Sequence, residues 1–159
     1  MKVGLIARAD DRGLGHLTWE FARALRPERV LVVDFAGRTG FPNRFDRFPG
    51  ATVVRWDPDT KAFDDLAGAL AWLDGLDVVY SAETFYDWRI VERANELGVA
   101  TVLHVMPELL HDKLPAQPTQ LWAPTAWRLD YLPPGTKVVP VPVAHVGELV
   151  EREPGPLRV

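Results

Sequence analysis

The 159-residue sequence contains no cysteine. This absence excludes a disulfide framework, a thiolate nucleophile and a zinc site built on cysteine ligands. A chain without cysteine is compatible with a reducing compartment, so we expect a cytoplasmic protein.

Long apolar runs and an excess of positive charge are also missing. The formal net charge is −4, which does not favour a nucleic-acid-binding surface. The first residues, MKVGLIARADD, contain an apolar run that is too short for the core of a signal peptide. No apolar stretch is long enough to cross a bilayer, so no membrane span is predicted.

Short apolar runs alternate along the chain with segments of helical periodicity. The predicted strands are 3–7, 29–35, 51–56, 77–83, 99–105, a short strand within 115–125 and an extended edge segment at 137–143. The predicted helices are 17–26, 63–76, 87–98 and 126–135, and residues 37–50 are predicted to form an ordered loop. Asp64 or Asp65 is expected near the start of the helix over 63–76, Gly75 at its end, and Gly98 at the end of the next helix. This alternation predicts an α/β fold, a Rossmann-like doubly wound parallel sheet in a single domain over 1–143, with 144–159 as a linker or tail.

Ligands of such a sheet bind beyond the carboxyl ends of its strands. The candidate ligand-binding residues are therefore those that follow the predicted strands. They are Arg8 to Gly15, Asp34 and Phe35, Ser81 to Tyr86, His104 to Glu108, and Pro124 to Trp127.

The stretch DDRGLGHLTW (10–19) is an imperfect match to a dinucleotide fingerprint. Asp34 lies where the ribose-binding acid is expected, but Thr18 stands at the third glycine position. The residues RADDR separate the predicted strand from the first glycine, and the two aspartates repel phosphate. A P-loop is excluded because its lysine is missing. The glycines then have one of two roles. They allow a sugar or an anion to approach a helix N-terminus closely, or they form only a turn and a tight helix–sheet contact.

Two segments carry a family resemblance. The N-terminal MKVGLIARADDRGLGHLTWEFARAL resembles the start of the N-terminal domain of a GT-B glycosyltransferase of the family 4-like type. It is most similar to the compact glycosyltransferases encoded by actinobacterial phages. The segment LWAPTAWRLDYLPPGTKVVPVPV (121–143) resembles the end of such a domain.

The resemblance implies half of a GT-B architecture, in which this domain holds the acceptor. A second, C-terminal Rossmann-like domain, in cis or in trans, is then expected to bind the nucleotide-sugar donor through an E-x7-E motif. Glu20 and Glu28 have that spacing, but Pro27 interrupts them and the match is treated as chance. The chain is expected to be inactive as a transferase without the donor domain. No cofactor is implied, and the acceptor is unknown.

The catalytic candidates are His104, expected to face the cleft, and Glu83, expected to bind an acceptor hydroxyl or to act as a base. The alternatives are a buried histidine with satisfied hydrogen bonds and a helix-capping or solvent-facing acid. The candidate substrate-binding residues are Asp10, Asp11, Arg12, Gly13, Leu14, Gly15, His16, Tyr86, Glu108 and Trp127. Glu108 is also explained as a helix cap, and His16 as a solvent-facing side chain.

The histidines and tryptophans raise two further possibilities, a metal site and a site where a ring stacks on a sugar. His16, His104 and His111 lack the spacing of metal ligands, so no metal site is predicted. Most tryptophans are predicted to pack in the core, with Trp88 and Trp127 as the candidates for stacking on a sugar. The alternative functions are a stand-alone module that binds a small ligand or nucleotide, and a nicotinamide-dependent enzyme.

Overall fold

A computed structural model describes residues 1–35, 38, 40–106 and 114–142. The chain folds into an α/β structure around one sheet of eight strands. The strands are β1 (Val3–Arg8), β2 (Arg29–Asp34), β3 (Thr52–Asp57), β4 (Ala62–Phe63), β5 (Val78–Ala82), β6 (Ala100–His104), β7 (Gln120–Ala123) and β8 (Lys137–Val138). The helices are α1 (Gly13–Leu25), α2 (Leu66–Ala71) and α3 (Arg89–Leu97), with short 3-10 turns at Phe45–Arg47 and Leu129–Tyr131.

The strand order is β4-β3-β2-β1-β5-β6-β7-β8, and every neighbouring pair is parallel except β3 and β4. Strands β2, β3 and β4 follow one another outward on one side of β1, and the chain then crosses over so that β5 lies on the other side of β1. A predominantly parallel α/β sheet is therefore confirmed, and its strand order is compatible with a Rossmann-like fold. The switch point of this topology lies between β1 and β5.

The two faces of the sheet carry separate cores. Leu5 and Tyr80 pack with Phe21 of α1 on one face. Ile6 and Val79 pack on the other face, where α2 and α3 lie. Because the central strands are buried on both faces, they read as continuous apolar runs rather than as alternating patterns.

Helix α1 begins at Gly13, so the predicted start at residue 17 is wrong. The His16 amide donates to the Arg12 carbonyl at 2.9 Å, which closes the first turn. Gly15 is pressed against the preceding loop, since a Cβ atom built there lies 1.8 Å from the Asp10 carbonyl oxygen. Glycine in this first turn is therefore required by packing, not by a turn that separates loop and helix.

The prediction of one helix over 63–76 is also wrong in its extent. Ala62 and Phe63 form the short strand β4, which pairs antiparallel with the end of β3. The Asp65 carboxylate then caps α2 by accepting the Gly68 amide at 2.9 Å, and Gly75 has a φ of 73° after the helix. The predicted capping and terminating residues are thus correct, although the α-helical part is shorter.

Where a helix is predicted over 126–135, the structure has a 3-10 turn at Leu129–Tyr131. Arg128 has a left-handed backbone, with a φ of 55°, which prevents an α-helix from starting before it. Helix α3 ends at Gly98 as predicted, with a φ of 70°. Of the extended segment predicted at 137–143, Lys137–Val138 forms strand β8, which lies at the edge of the sheet as the prolines at 140 and 142 indicated.

The long loop after β2 is tied to the loop after β1. Asn43 forms a β-bridge with Asp10, and the Arg44 amide donates to the Ala9 carbonyl at 2.6 Å. The Asp11 amide donates to the Pro42 carbonyl at 3.1 Å. These bonds confirm an ordered loop over its described residues. The predicted tail 144–159 lies outside the described residues. None of the helices in the described part is both long and apolar enough to cross a membrane.

Replacing Gly15 by alanine tests the contact between α1 and the β1 loop. We expect Gly15→Ala to lower the free energy of unfolding by about 2 kcal/mol or more, because the new methyl group overlaps the Asp10 backbone. Gly13→Ala is the matched control, since a Cβ atom there meets nothing within 4 Å. That variant should be neutral or slightly stabilising. Urea denaturation of both variants measures the difference, and equal stabilities contradict the packing argument.

Candidate functional site

Two loops flank the switch point between β1 and β5, where a sheet of this topology is expected to form its ligand-binding crevice. One loop, residues 9–12, joins β1 to α1, and the other, residues 83–88, joins β5 to α3. Crevices at this position are where open α/β sheets bind ligands. Four side chains interact there, and we call Arg8, Asp10, Glu83 and Tyr86 the switch-point cluster.

Arg8 and Asp10 form an ion pair that is largely removed from solvent. The Arg8 side chain is 16% exposed and the Asp10 side chain is 1% exposed. The Arg8 guanidinium also lies over the Phe35 ring, 4.3 Å from its centroid. Asp10 Oδ1 and Arg8 Nε are buried without a hydrogen-bond partner. The pair is therefore held rigidly while one acceptor and one donor remain unused.

The β5–α3 loop brings Glu83 and Tyr86 to the same place through two tight turns. Glu83 has a φ of 64°, and the Thr84 amide donates to the Ala82 carbonyl at 2.8 Å across it. Tyr86 has a φ of 65°, and the Asp87 amide donates to the Phe85 carbonyl at 2.7 Å across it. Both are γ-turns with a positive φ at a residue other than glycine, a rare and strained conformation. Strained backbone of this kind concentrates at functional sites.

The Tyr86 hydroxyl connects the two loops. It lies close enough to the Arg8 guanidinium and to the carboxylates of Glu83 and Asp10 to interact with their charges. Burial is the main cause that raises the pKa of Tyr86 above its usual value, with the two acids adding to it and Arg8 opposing it. Tyr86 is thus a protonated phenol at neutral pH, able to donate or accept a hydrogen bond but not to act as a base.

Aromatic rings extend from this cluster toward β3. Phe35, Trp56 and Tyr86 meet edge to face in all three pairs, with ring centroids 5.3 to 6.1 Å apart. Phe35 follows β2 and Trp56 lies at the end of β3. We call these three rings the aromatic row.

The predicted substrate-binding residues of the β1–α1 loop do not all face the crevice. The Asp11 carboxylate accepts from the Arg47 guanidinium at 2.8 Å and lies 3.1 Å from His16 Nε2. The Arg12 guanidinium lies over the exposed Phe41 ring, 4.6 Å from its centroid. Gly13 is exposed, whereas Leu14 packs against the α1-side core. Asp10 is the residue of this group that the structure joins to Glu83 and Tyr86.

His104 is enclosed by aromatic side chains and is 4% exposed. Its neighbours are Phe21 of α1, Tyr80 of β5 and Trp122 of β7. His104 Nδ1 lies 2.9 Å from the Tyr80 hydroxyl, while Nε2 is buried and has no hydrogen-bond partner among the described residues. The ring expected to face the cleft is therefore enclosed in this structure, and a substrate reaches it only if these neighbours move.

The protonation state of His104 follows from its burial, which lowers its pKa to about 4. Burial also raises the pKa of Tyr80, so its hydroxyl keeps its proton. With Nδ1 as the donor, the Tyr80 hydroxyl proton and the Nε2 lone pair both lack a partner among the described residues, whereas with the hydroxyl as the donor only the Nε2–H does. We therefore assign the Tyr80 hydroxyl as the donor to Nδ1 and place the imidazole proton on Nε2. His104 contacts the cluster through its backbone, since its carbonyl accepts the Glu83 amide at 2.8 Å.

The remaining candidates lie elsewhere or outside the described residues. Trp127 is 60% exposed and stacks with Arg128 beyond β7, three strands from β1. Trp88 is half-buried against Phe85. Glu108 and His111 lie outside the described residues. Within the described ranges no group of acidic or histidine side chains is arranged to hold a metal ion.

Arg8 is the member of the cluster that the sequence did not single out as a site residue. It is the last residue of β1, at the carboxyl edge where ligand-binding residues are expected. Its burial and its contacts with Phe35 and Tyr86 depend on long-range packing. The signal available in the sequence was the position of Arg8 at the end of the predicted strand. That signal marked every residue from Arg8 to Gly15 equally as a candidate for ligand binding.

The neutral, buried state of His104 predicts that acid destabilises the fold. The unfolded chain takes up a proton near pH 6.5, whereas the folded chain resists it until about pH 4. The free energy of unfolding should therefore fall as the pH drops through this window, by about 3 kcal/mol in total. We expect His104→Phe to remove this fall, and the exposed control His16→Gln to retain it. Urea denaturation between pH 7 and pH 4 measures both, and an unchanged slope in His104→Phe contradicts the assignment.

No protein family, curated protein or solved structure matches this chain. The interpretation of the site therefore rests on its own geometry.

Proposed function

We propose that this chain is the acceptor-side domain of a GT-B glycosyltransferase that uses a nucleotide sugar. The observation that carries the proposal is the switch-point cluster, which brings two carboxylates, a guanidinium and a phenol together beside aromatic rings at the carboxyl edge of the sheet. The family resemblance of the N-terminal segment and of residues 121–143 points in the same direction.

The charges of the cluster favour a ligand that offers hydroxyl groups. The positive charge of Arg8 is balanced by its ion pair with Asp10, so this pair offers a phosphate no excess positive charge. A sugar hydroxyl, in contrast, can donate a hydrogen bond to a carboxylate such as that of Glu83. The donor's diphosphate is accordingly assigned to the second domain, and the acceptor to this one.

The proposed roles follow from position. Glu83 accepts the hydrogen bond of the acceptor hydroxyl and acts as the base when that oxygen attacks the anomeric carbon of the donor. The nucleotide diphosphate is the leaving group. Tyr86 and Asp10 are buried, and with Arg8 they fix the two loops that position Glu83 toward the acceptor. His104 supports the Glu83 turn through its carbonyl and stays neutral. Catalysis by His104 remains a prediction that requires its aromatic neighbours to move.

Titration of the isotope-labelled chain with glucose, galactose and mannose tests the proposal by NMR. We expect at least one of these sugars to shift the backbone amides of residues 83–86, with a Kd in the millimolar range. Glu83→Gln should weaken that binding roughly ten-fold, because it removes a charged hydrogen-bond acceptor. The matched control is Glu96→Gln, on the exposed surface of α3, which should leave the Kd unchanged.

Two results contradict the proposal. One is that none of the three sugars shifts the amides of residues 83–86. The other is that a nicotinamide dinucleotide shifts them instead, which favours the alternative of a nucleotide-binding module.

A further inference from the structure

A cleft of about 320 Å³ lies at the carboxyl end of β3, apart from the switch-point cluster. It is lined by Arg38, Arg55, Trp56, Asp57 and Asp64. The cleft exists because β4 folds back antiparallel on the end of β3, and the loop after β2 contributes Arg38.

The cleft has hydrogen-bond donors that the fold does not use. Within the described residues, the Arg55 guanidinium makes no hydrogen bond or ion pair. Arg38 has a single distant ion pair, 3.9 Å to Asp59, and both side chains are exposed. The Trp56 side chain lines the cleft, and its indole Nε1 is buried without a hydrogen-bond partner among the described residues. The donors that a ligand in the cleft can reach are therefore the two exposed guanidiniums.

The carboxylates of the cleft balance these donors. Asp57 accepts the Asp59 amide at 2.9 Å, and Asp64 accepts the Arg55 amide at 3.0 Å, each through Oδ1. Two arginines and two aspartates give the lining a formal charge of zero. Such a lining does not select an anion. It suits a neutral ligand with many hydroxyl groups, each of which both donates and accepts.

The aromatic row connects this cleft to the switch-point cluster. Trp56 lines the cleft and meets Tyr86 of the cluster edge to face, with ring centroids 6.1 Å apart. Strand β3 is three positions from β5 in the sheet, which places Glu83 and the cleft about 14 Å apart. One sugar ring does not cover that span, whereas two or three linked rings do.

We propose that the cleft at Arg55 and Trp56 is a second sugar subsite, so that the acceptor is a neutral oligosaccharide extended along the carboxyl edge from β5 to β3. This inference rests on the proposed function and adds the chain length and charge of the acceptor. The terminal sugar lies at Glu83, and a following sugar lies at Arg55 and Trp56.

The experiment compares chain lengths within one sugar series. The full chain is titrated with glucose, maltose and maltotriose, and in parallel with the corresponding mannose and galactose oligomers. The six tryptophan indole N–H signals are followed by NMR, and Trp56→Phe assigns the signal of Trp56. In the series that binds, we expect the disaccharide or trisaccharide to bind roughly five-fold more tightly than the monosaccharide and to shift the Trp56 indole.

Arg55→Gln separates the two subsites. This variant should remove the gain with chain length and leave the monosaccharide Kd unchanged. Arg93→Gln is the matched control, since Arg93 is exposed on α3 and paired with Glu96. It should retain the full gain.

The inference is overturned if longer sugars bind no more tightly, or if the Trp56 indole stays unshifted. It is also overturned if Arg55→Gln weakens the monosaccharide and the trisaccharide equally. If glucuronate or inorganic phosphate shifts the Trp56 indole signal and neutral sugars do not, the cleft binds anions and the inference is overturned. In each of these cases the shifts of residues 83–86 by a monosaccharide still support the proposed function. If no sugar shifts those amides, the proposed function and this inference fail together.

Discussion

The buried ion pair between Arg8 and Asp10 is the interaction on which the candidate site depends. Removing two charges from water is costly, so the pair persists only with compensating contacts. The Phe35 ring and the Tyr86 hydroxyl supply these for Arg8. The Asp10 carboxylate lies against the first turn of α1, where the helix dipole favours negative charge. One pair thereby links β1, α1, the loop after β2 and the loop after β5.

The β5–α3 loop shows how the rest of the structure sustains a strained site. Positive φ values at Glu83 and Tyr86 each cost about 1–3 kcal/mol, which local sequence does not offset. The Phe85 side chain between them is fully buried, and the Asp87 carboxylate accepts the Phe63 amide at 3.1 Å. Burial alone raises the pKa of Asp87, but the Arg89 guanidinium and the Phe63 amide together hold it below its usual value. The loop is therefore fixed from both ends, and Glu83 is presented with little freedom.

A chain of contacts also connects the two proposed sugar subsites. Arg8 contacts Phe35, Phe35 contacts Trp56, and Trp56 lines the cleft at β3. A rigid row of this kind lowers the entropy lost when an extended ligand binds. It also gives the acceptor a direction, from the strained loop toward the β3–β4 hairpin.

Sequence patterns predicted the parts of the fold that local physics determines. The apolar runs identified the central strands, Asp65 and Gly98 marked helix ends, and the carboxyl-edge rule selected Asp10, Glu83 and Tyr86. Strand β4 was missed because two residues carry no periodicity of their own and pair only once β3 is in place. The role of Gly15 depends on the Asp10 backbone beside it.

The position of His104 shows the same limit within the site. Its place at the end of β6 was predicted, but the side of the sheet that its ring faces depends on strand register. Register with Ala82 of β5 places the ring beside Phe21 and Trp122. The burial of Arg8 and the γ-turns at Glu83 and Tyr86 likewise arise from contacts between segments that are distant in the sequence.

The most direct test of this account is a double-mutant cycle on the Arg8–Asp10 pair, measured as the free energy of unfolding in urea. We predict that Arg8→Met and Asp10→Asn each lower it by about 3 kcal/mol, because each leaves the other group buried without its partner. The double variant should lose less than the sum of the two, with a coupling of more than about 1 kcal/mol. Additive losses, within about 0.5 kcal/mol, contradict the claim that this pair holds the site together.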